Sequence, residues 1–291
     1  MKKILITGAN GLLGHKLVSL LSQQQDVSLV ATARGICRFF LPSNIVYRSL
    51  DITNADACKN LINEFQPDAL IHAAAMTQVD ICEDEREVCD LINIKGVSNL
   101  IEAIGNRNTH FVHISTDFIY EGNEEEYFED SKVNPLNYYA LSKATIDYWV
   151  LDNIDRFRYI QGFRYFNVYG SGEQHKGTMA SLVSQFQWQA VTGQIHPFEG
   201  SDQIYRDYVW VGDLVNVVLS NTAGSGIFDL GTGQPTSIGT VAQLISLKTK
   251  SSLIPIPFPP NLKGKYQYYT KADMEWLKDY KFKTVEEYLL E

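Results

Sequence analysis

Short apolar runs alternate with helical spacings through the first half of the chain. Lys3-Ile4-Leu5-Ile6-Thr7 ends in glycine-rich sequence, and a helical pattern follows from Leu12 to about Ser22. Val27 to Ala33 reads as a second strand and Ile45 to Tyr47 as a third. Asp51-Ile52-Thr53 and a helix from about Ala55 to Phe65 come next. Ala69-Leu70-Ile71-His72 is a fourth strand, a long helix spans roughly Glu85 to Ile104, and Phe111-Val112-His113-Ile114 is a fifth strand. An acidic, turn-like stretch from Glu121 to Pro135 leads into a helix from about Tyr138 to Leu151. Strands this short and continuously apolar offer no polar face to water. Alternating with helices, they predict an α/β fold with a doubly wound parallel sheet covered on both sides, a Rossmann arrangement.

After about Phe163 the pattern changes. A helix is expected from Met179 to Val191, then short strands and loops through Gly231-Thr232-Gly233. A last helix from about Ile238 to Leu247 and a proline-rich stretch from Ile254 to Pro260 follow. The expected division is a dinucleotide-binding domain over 1–168 with a return segment 207–231, and a smaller C-terminal substrate lobe from 169–206 and 232–291.

Composition narrows the classes. The 291 residues carry 25 Lys plus Arg against 34 Asp plus Glu, a net charge of −9, which disfavours a nucleic-acid partner held by phosphate contacts. No apolar run approaches the roughly 20 residues of a membrane helix. The chain enters its first strand at Lys3, leaving no room for a signal peptide, so a cytoplasmic protein with reduced thiols is expected. Cys37, Cys58, Cys82 and Cys89 have no metal or redox spacing, and no metal site is expected. The acidic cluster Glu124-Glu125-Glu126 with Glu129-Asp130 reads as a solvated loop.

Gly8, Gly11 and Gly14 lie directly after the first strand, where a helix opens. A tight turn, a close approach to a pyrophosphate and helix-on-sheet packing each exclude a Cβ, and the helix start at Leu12 and Leu13 offers N–H groups to the phosphates. The spacing is GxxGxxG rather than GxGxxG, and its strand–loop–helix setting points to a dinucleotide. The end of the second strand, Ala31-Thr32-Ala33-Arg34, has no acid to receive a ribose hydroxyl. Arg34, with Arg38, could instead pair with a 2′-phosphate, so NADP is favoured over NAD; the alternative for Arg34 is a solvated surface charge. Asp51, followed by Ile52, could receive the adenine amino group, or it could cap the next helix.

Tyr139 and Lys143 are four apart, on one face of a helix. An ammonium beside a phenol stabilises the phenolate and is expected to lower its pKa toward working pH, giving a general acid/base for alcohol–carbonyl chemistry. Ser115-Thr116-Asp117 follows the fifth strand, where a hydroxyl can bind the reacting oxygen.

The ordered set Gly8/Gly11/Gly14, Ser115-Thr116 and Tyr139/Lys143 resembles the extended short-chain dehydrogenase/reductase superfamily over essentially the whole chain. The resemblance implies that Thr116 orients the substrate oxygen, Tyr139 is the acid/base and Lys143 assists it. His72-Ala73-Ala74-Ala75-Met76-Thr77-Gln78-Val79-Asp80, Ile114 to Tyr120 and Pro135 to Tyr139 are similar to dTDP-4-dehydrorhamnose reductases, with Ala73 and Ala74 beside the cofactor. From Gly162 the likeness shifts. Gly162 to Gly170, His175-Lys176-Gly177-Thr178-Met179-Ala180-Ser181, Phe198 to Ser201, Arg206 to Val209 and Ile256 to Gln267 resemble ADP-glycero-manno-heptose 6-epimerases, with Lys265 where an arginine is expected.

On the epimerase resemblance Lys176 is a second acid/base, opposite the tyrosine; a phosphate-binding or exposed lysine is the alternative. Asn167, His175, Ser181, Ser201, Arg206 and Tyr266 become substrate candidates. Their local alternatives are a strand-end hydrogen bond for Asn167, local structure for His175, an ion pair for Arg206, and lobe core for Tyr266 with Tyr268 and Tyr269. The expected activity is NADP-dependent epimerisation of a nucleotide sugar by transient oxidation and re-reduction. Net reduction of a 4-keto nucleotide sugar and a non-catalytic member of the fold are the rivals. Relatives of this kind often pair through helices, so a homo-oligomer is expected. The change of likeness near 155–165 reads as a mosaic or chimeric origin. It parallels the placing of all four cysteines in the first third and all four tryptophans in the second half.

Overall fold

The computed structural model describes residues 1–120, 127–128, 130–157, 159–220, 223–260 and 266–290, His175 by its backbone alone. The acidic stretch 124–126 with Glu129, and the Leu262–Lys265 motif, lie outside the described residues.

Seven strands form one sheet: β1 (Lys2–Thr7), β2 (Val27–Ala33), β3 (Val46–Ser49), β4 (Ala69–His72), β5 (His110–Thr116), β6 (Tyr159–Tyr165) and β7 (Gly226–Leu230). Their order is β7-β6-β5-β4-β1-β2-β3, a parallel sheet flanked by helices. The strand order reverses between β1 and β4, so a crevice opens at the carboxyl ends of those two strands. Register is set by buried pairs such as Leu5 with Val30 and Leu70, and Leu70 with Phe111.

The helices are α1 (Leu12–Leu21), α2 (Ala55–Phe65), α3 (Val79–Asp84), α4 (Arg86–Asp90), α5 (Gly96–Ile104), α6 (Tyr138–Asp152), α7 (Leu182–Ala190), α8 (Val211–Ser220), α9 (Ile238–Thr249) and α10 (Val285–Leu290). Leu5, Val30, Leu70, Phe111 and Ile160 form one core with Cys58 and Ile62 of α2, Val97 and Leu100 of α5, and Ile146 and Val150 of α6. Ile4, Ile6, Leu29, Ala31, Ile71 and Val112 alternate with them and are buried as well, so the centre of the sheet is covered on both faces, while the edge strand β3 is largely exposed.

Two expectations about elements need correction. The helix expected unbroken from Glu85 to Ile104 starts earlier, at Val79, breaks at Glu85 and contains a π-helical turn at Leu91–Lys95. That turn carries the buried Asn93, whose amide bonds the backbone of Met76 at 2.8 and 3.0 Å and donates to Ser142 Oγ at 3.0 Å. The stretch expected as short strands and loops before Gly231 also contains α8. Its valines favour strands, but Val211, Leu214, Val215 and Val218 recur at helical spacing and are buried.

The chain forms two compact units. The first comprises Met1–Ile119, Asn137–Phe163 and Ser220–Phe228; the second comprises Tyr120–Leu136, Arg164–Leu219 and Asp229–Glu291. Residues 120–136 and 207–219 thus fall in the second unit rather than in the sheet domain read from the sequence. Their contacts explain this. Tyr120 Oη contacts Asp229 and Arg164, and the buried Asp207 carboxylate accepts from the N–H groups of Thr232, Gly233 and Ala272. Asp213 of α8 accepts from Tyr280 Oη and Lys283 N. The second unit has its own core, with Val183 and Phe186 of α7, Ile238, Val241 and Ile245 of α9, and Tyr169, Ile195 and Leu289.

Candidate active site

The crevice side of the first unit is lined by the glycine loop. Gly8 has φ +76°, and a Cβ there would lie 2.5 Å from the backbone of Ala73 and Ala74. A Cβ on Gly14 would come within 2.2 Å of the Gly8 carbonyl. Gly11 N–H donates to that same carbonyl at 2.9 Å and closes the turn. Gly11 is the N-cap of α1 and brings no side-chain cap, and the first turn holds no acid. The start of α1 at Leu12 and Leu13 therefore offers its N–H groups and positive dipole end to an anion. These features fit the pyrophosphate of a dinucleotide.

Arg34 follows β2 and is exposed. Asp51 Oδ1 accepts from Thr53 N at 3.0 Å and Thr53 Oγ1 at 2.8 Å. These bonds, and then the Arg34 charge, hold its carboxyl below the ordinary value against the effect of burial. Asp51 is not the cap of α2: Asn54 takes that place and accepts from Ala57 N at 3.0 Å. Ile52 is core, packed against Gly96, and its carbonyl accepts from Asn99.

Thr116 ends β5 and is 7% exposed. Its hydroxyl accepts from Phe118 N at 3.2 Å and donates to Asp117 Oδ1 at 3.4 Å, near enough to the Tyr139 phenol to act on it. Asn137 caps α6 by accepting from Ala140 N at 2.9 Å, which places Tyr139 in the first turn and Lys143 one turn on. Lys143 is 3% exposed, and its ammonium donates to the Ile114 carbonyl at 2.8 Å. Burial brings its pKa down to about 8, with the carboxylate of Asp147 opposing.

The expected lowering of the tyrosine pKa is not found in the protein alone. Burial and the Asp117 carboxylate push the Tyr139 phenol up, while Thr116 pulls weakly the other way. The Lys143 ammonium gives its hydrogen bond to the Ile114 carbonyl. Beneath the pair, His72 and His113 stack with ring centroids 6.0 Å apart on adjacent strands. Burial and the nearby lysine charge take His72 to about 3 and His113 well below its ordinary value, so both are neutral.

The candidates in the second unit divide in two. Asn167 Nδ2 donates to Thr270 Oγ1, and Ser181 caps α7, so both have structural tasks. Ser201 is buried at the start of a short 3-10 turn, and Tyr266 packs edge-on to Phe258. The other group carries charge. Glu173 is 1% exposed and accepts from Ser181 N at 2.8 Å, Ser181 Oγ at 2.7 Å, Ser184 Oγ at 2.8 Å and the Lys176 ammonium at 3.3 Å. Burial raises this carboxyl, but Lys176 and these donors more than offset it, and the net shift is downward. Glu173 was not singled out in the sequence, although its position three residues before Lys176 is the signal for it.

Arg206 is 4% exposed, and the acidic partner considered for it is absent among the described residues. Its guanidinium donates to the carbonyls of Tyr205 and Gln267 and lies 4.7 Å from the centre of the Tyr266 ring. A buried cation with only carbonyl and ring partners has capacity left for an anion.

Among the described residues no group of three or more acidic, histidine or cysteine side chains could hold a metal, and no helix is long and apolar enough to cross a membrane.

Solved structures share this fold. UDP-glucose 4-epimerase from Thermotoga maritima with UDP-glucose superposes with a TM-score of 0.87 at 23% identity, covering 99% of this chain and 96% of that one. ADP-L-glycero-D-manno-heptose-6-epimerase from Helicobacter pylori gives 0.86 at 23% identity, covering 99% and 94%. The Thermus thermophilus UDP-glucose 4-epimerase in complex with NAD gives 0.82 at 22% identity, covering 95% and 92%. The profile of the RmlD substrate binding domain matches residues 1–196, a range that runs past 155–165, the stretch where a change of likeness was expected. With two thirds of its length matched, the chain belongs to the RmlD substrate binding domain family, a family of enzymes.

Proposed function

We propose that the chain is an NADP(H)-dependent nucleotide-sugar epimerase, most like an ADP-glycero-manno-heptose 6-epimerase, working by transient oxidation and re-reduction. The observation that favours it over other redox chemistry is the Lys176–Glu173 ion pair. It supplies a charged amine, apart from Tyr139, that can give a proton to a sugar oxygen.

Epimerisation removes hydride from a carbinol and returns it to the other face of the resulting carbonyl. The nicotinamide, when bound, accepts and returns that hydride. Tyr139 takes the hydroxyl proton in one orientation, and Thr116 donates a hydrogen bond to the same oxygen. Lys143 stabilises the phenolate by its charge. After the carbonyl turns over, Lys176 gives the proton to the alkoxide as hydride returns. Glu173 accepts a hydrogen bond from that ammonium and orients it. Arg206 supplies the counter-charge for the substrate diphosphate.

The second reading is net reduction of a 4-keto nucleotide sugar, supported by the family match over residues 1–196. Incubation with ADP-glycero-manno-heptose, read by NMR for inversion at C6 and by absorbance for NADPH, separates the two. Inversion without net NADPH loss, abolished in Tyr139→Phe and in Lys176→Ala, is expected. Stoichiometric NADPH oxidation with a dTDP-4-keto sugar and no inversion would replace epimerase by reductase.

A further inference from the structure

Asn10, between Gly8 and Gly11, spends its whole side-chain amide on the turn after β2. Its Nδ2 donates to the Ile36 carbonyl at 2.9 Å and to Tyr47 Oη at 3.3 Å, and its Oδ1 accepts from Arg38 N at 2.9 Å. Tyr47, on β3, reaches the Gly35 carbonyl at 3.0 Å and the Ala33 carbonyl at 3.3 Å. Gly35 N–H donates to Ser49 Oγ at 3.1 Å. Burial raises the Tyr47 phenol, which keeps its proton for those carbonyls. Residues 35–38 are thus fixed from the glycine loop on one side and from β3 on the other. This turn begins next to Arg34 and ends on Arg38, both exposed, at the end of β2 where the ribose of a dinucleotide comes.

The two cofactor moieties use different parts of this arrangement. The pyrophosphate meets the start of α1, whichever cofactor is bound. Only a 2′-phosphate depends on where the two arginines stand. A residue that positions the turn acts on the second moiety and leaves the first alone.

We propose that Asn10, supported by Tyr47, is a positioning residue that sets the preference for NADP(H) over NAD(H) by holding the turn that bears Arg34 and Arg38. The proposal rests on the NADP reading given above. It adds a determinant in the glycine loop that does not itself meet the phosphate.

The test is binding of NADPH and of NADH to the purified full chain without sugar, by calorimetry, with thermal midpoints recorded in parallel. Wild type is expected to bind NADPH more tightly. In Asn10→Ala the NADPH Kd rises about tenfold, as for one or two lost hydrogen bonds, while the NADH Kd stays within about twofold. Asn10→Asp weakens NADPH further, because a carboxylate there repels the phosphate. Tyr47→Phe, which deletes a single hydroxyl, shifts the ratio the same way to a smaller degree and carries the test if Asn10→Ala does not fold.

Equal weakening of both cofactors in Asn10→Ala would overturn the proposal, since Asn10 would then only shape the glycine loop. An unchanged ratio in both variants would overturn it too. A wild type that prefers NADH removes the NADP reading itself, before any variant is measured.

Discussion

Lys143 carries its charge in a place that penalises charge. Burial brings the amine to about 8, so it is protonated below that pH and loses its proton as pH rises through it. Only the protonated form can stabilise a Tyr139 phenolate. The kcat/KM profile, which reports the free enzyme, is therefore expected to fall on its alkaline side with an apparent pKa near 8. Lys143→Arg should move that limb beyond pH 10 or so, because a guanidinium does not titrate there, at reduced rate. An unmoved limb in the variant would assign it to another group. At this scale the sequence showed what depends on local spacing: the three glycines, and a tyrosine and lysine four apart. It did not show what depends on partners brought from elsewhere. Asn10 meets Ile36 and Tyr47 only after β2 and β3 are in register, and His72 meets His113 only across two strands. The tyrosine shift had the opposite sign because burial outweighs a neighbouring charge whose hydrogen bond goes elsewhere.

Among the elements, helix starts are well signalled and helix interiors less so. Asn54, Asn137, Ser181 and Ser237 each cap a helix through a side-chain oxygen. The cap at Asn137 stands two residues from Tyr139, so it links stability to the site. Asn137→Ala is expected to cost about 1 kcal/mol in urea unfolding, the usual value of a lost cap. It should also lower kcat without changing NADPH affinity, since the first turn of α6 frays while the glycine loop is untouched. A variant with wild-type stability would show that the cap bond is not formed. The π turn at Leu91–Lys95 was invisible in the sequence because its cause is tertiary: Asn93 turns inward to reach Met76 and Ser142. The valines of α8 misled for the same reason, their local preference being overridden by burial.

At the level of the molecule, the doubly wound sheet was legible from strand and helix alternation, but the partition of the chain was not. Each unit is assembled from three separate stretches, and Asn137–Phe163 and Ser220–Phe228 complete the first. A single exchange of sequence near 155–165 would cut through both units instead of swapping one. A fragment ending at Phe163 lacks β7, the strand that flanks β6 at the edge of the sheet. Such a fragment is expected to remain unfolded or to aggregate, read by circular dichroism and size-exclusion chromatography; a monomeric, cooperatively melting fragment would show β7 to be dispensable. The same interleaving sets an order of events on the ribosome. After β6 is made, residues 166–225 must emerge before β7 can pair with it, on the order of ten seconds at ordinary elongation rates. Through that interval β6 presents an unpaired, apolar edge. The nascent chain is then most in need of a chaperone between the synthesis of its sixth and seventh strands.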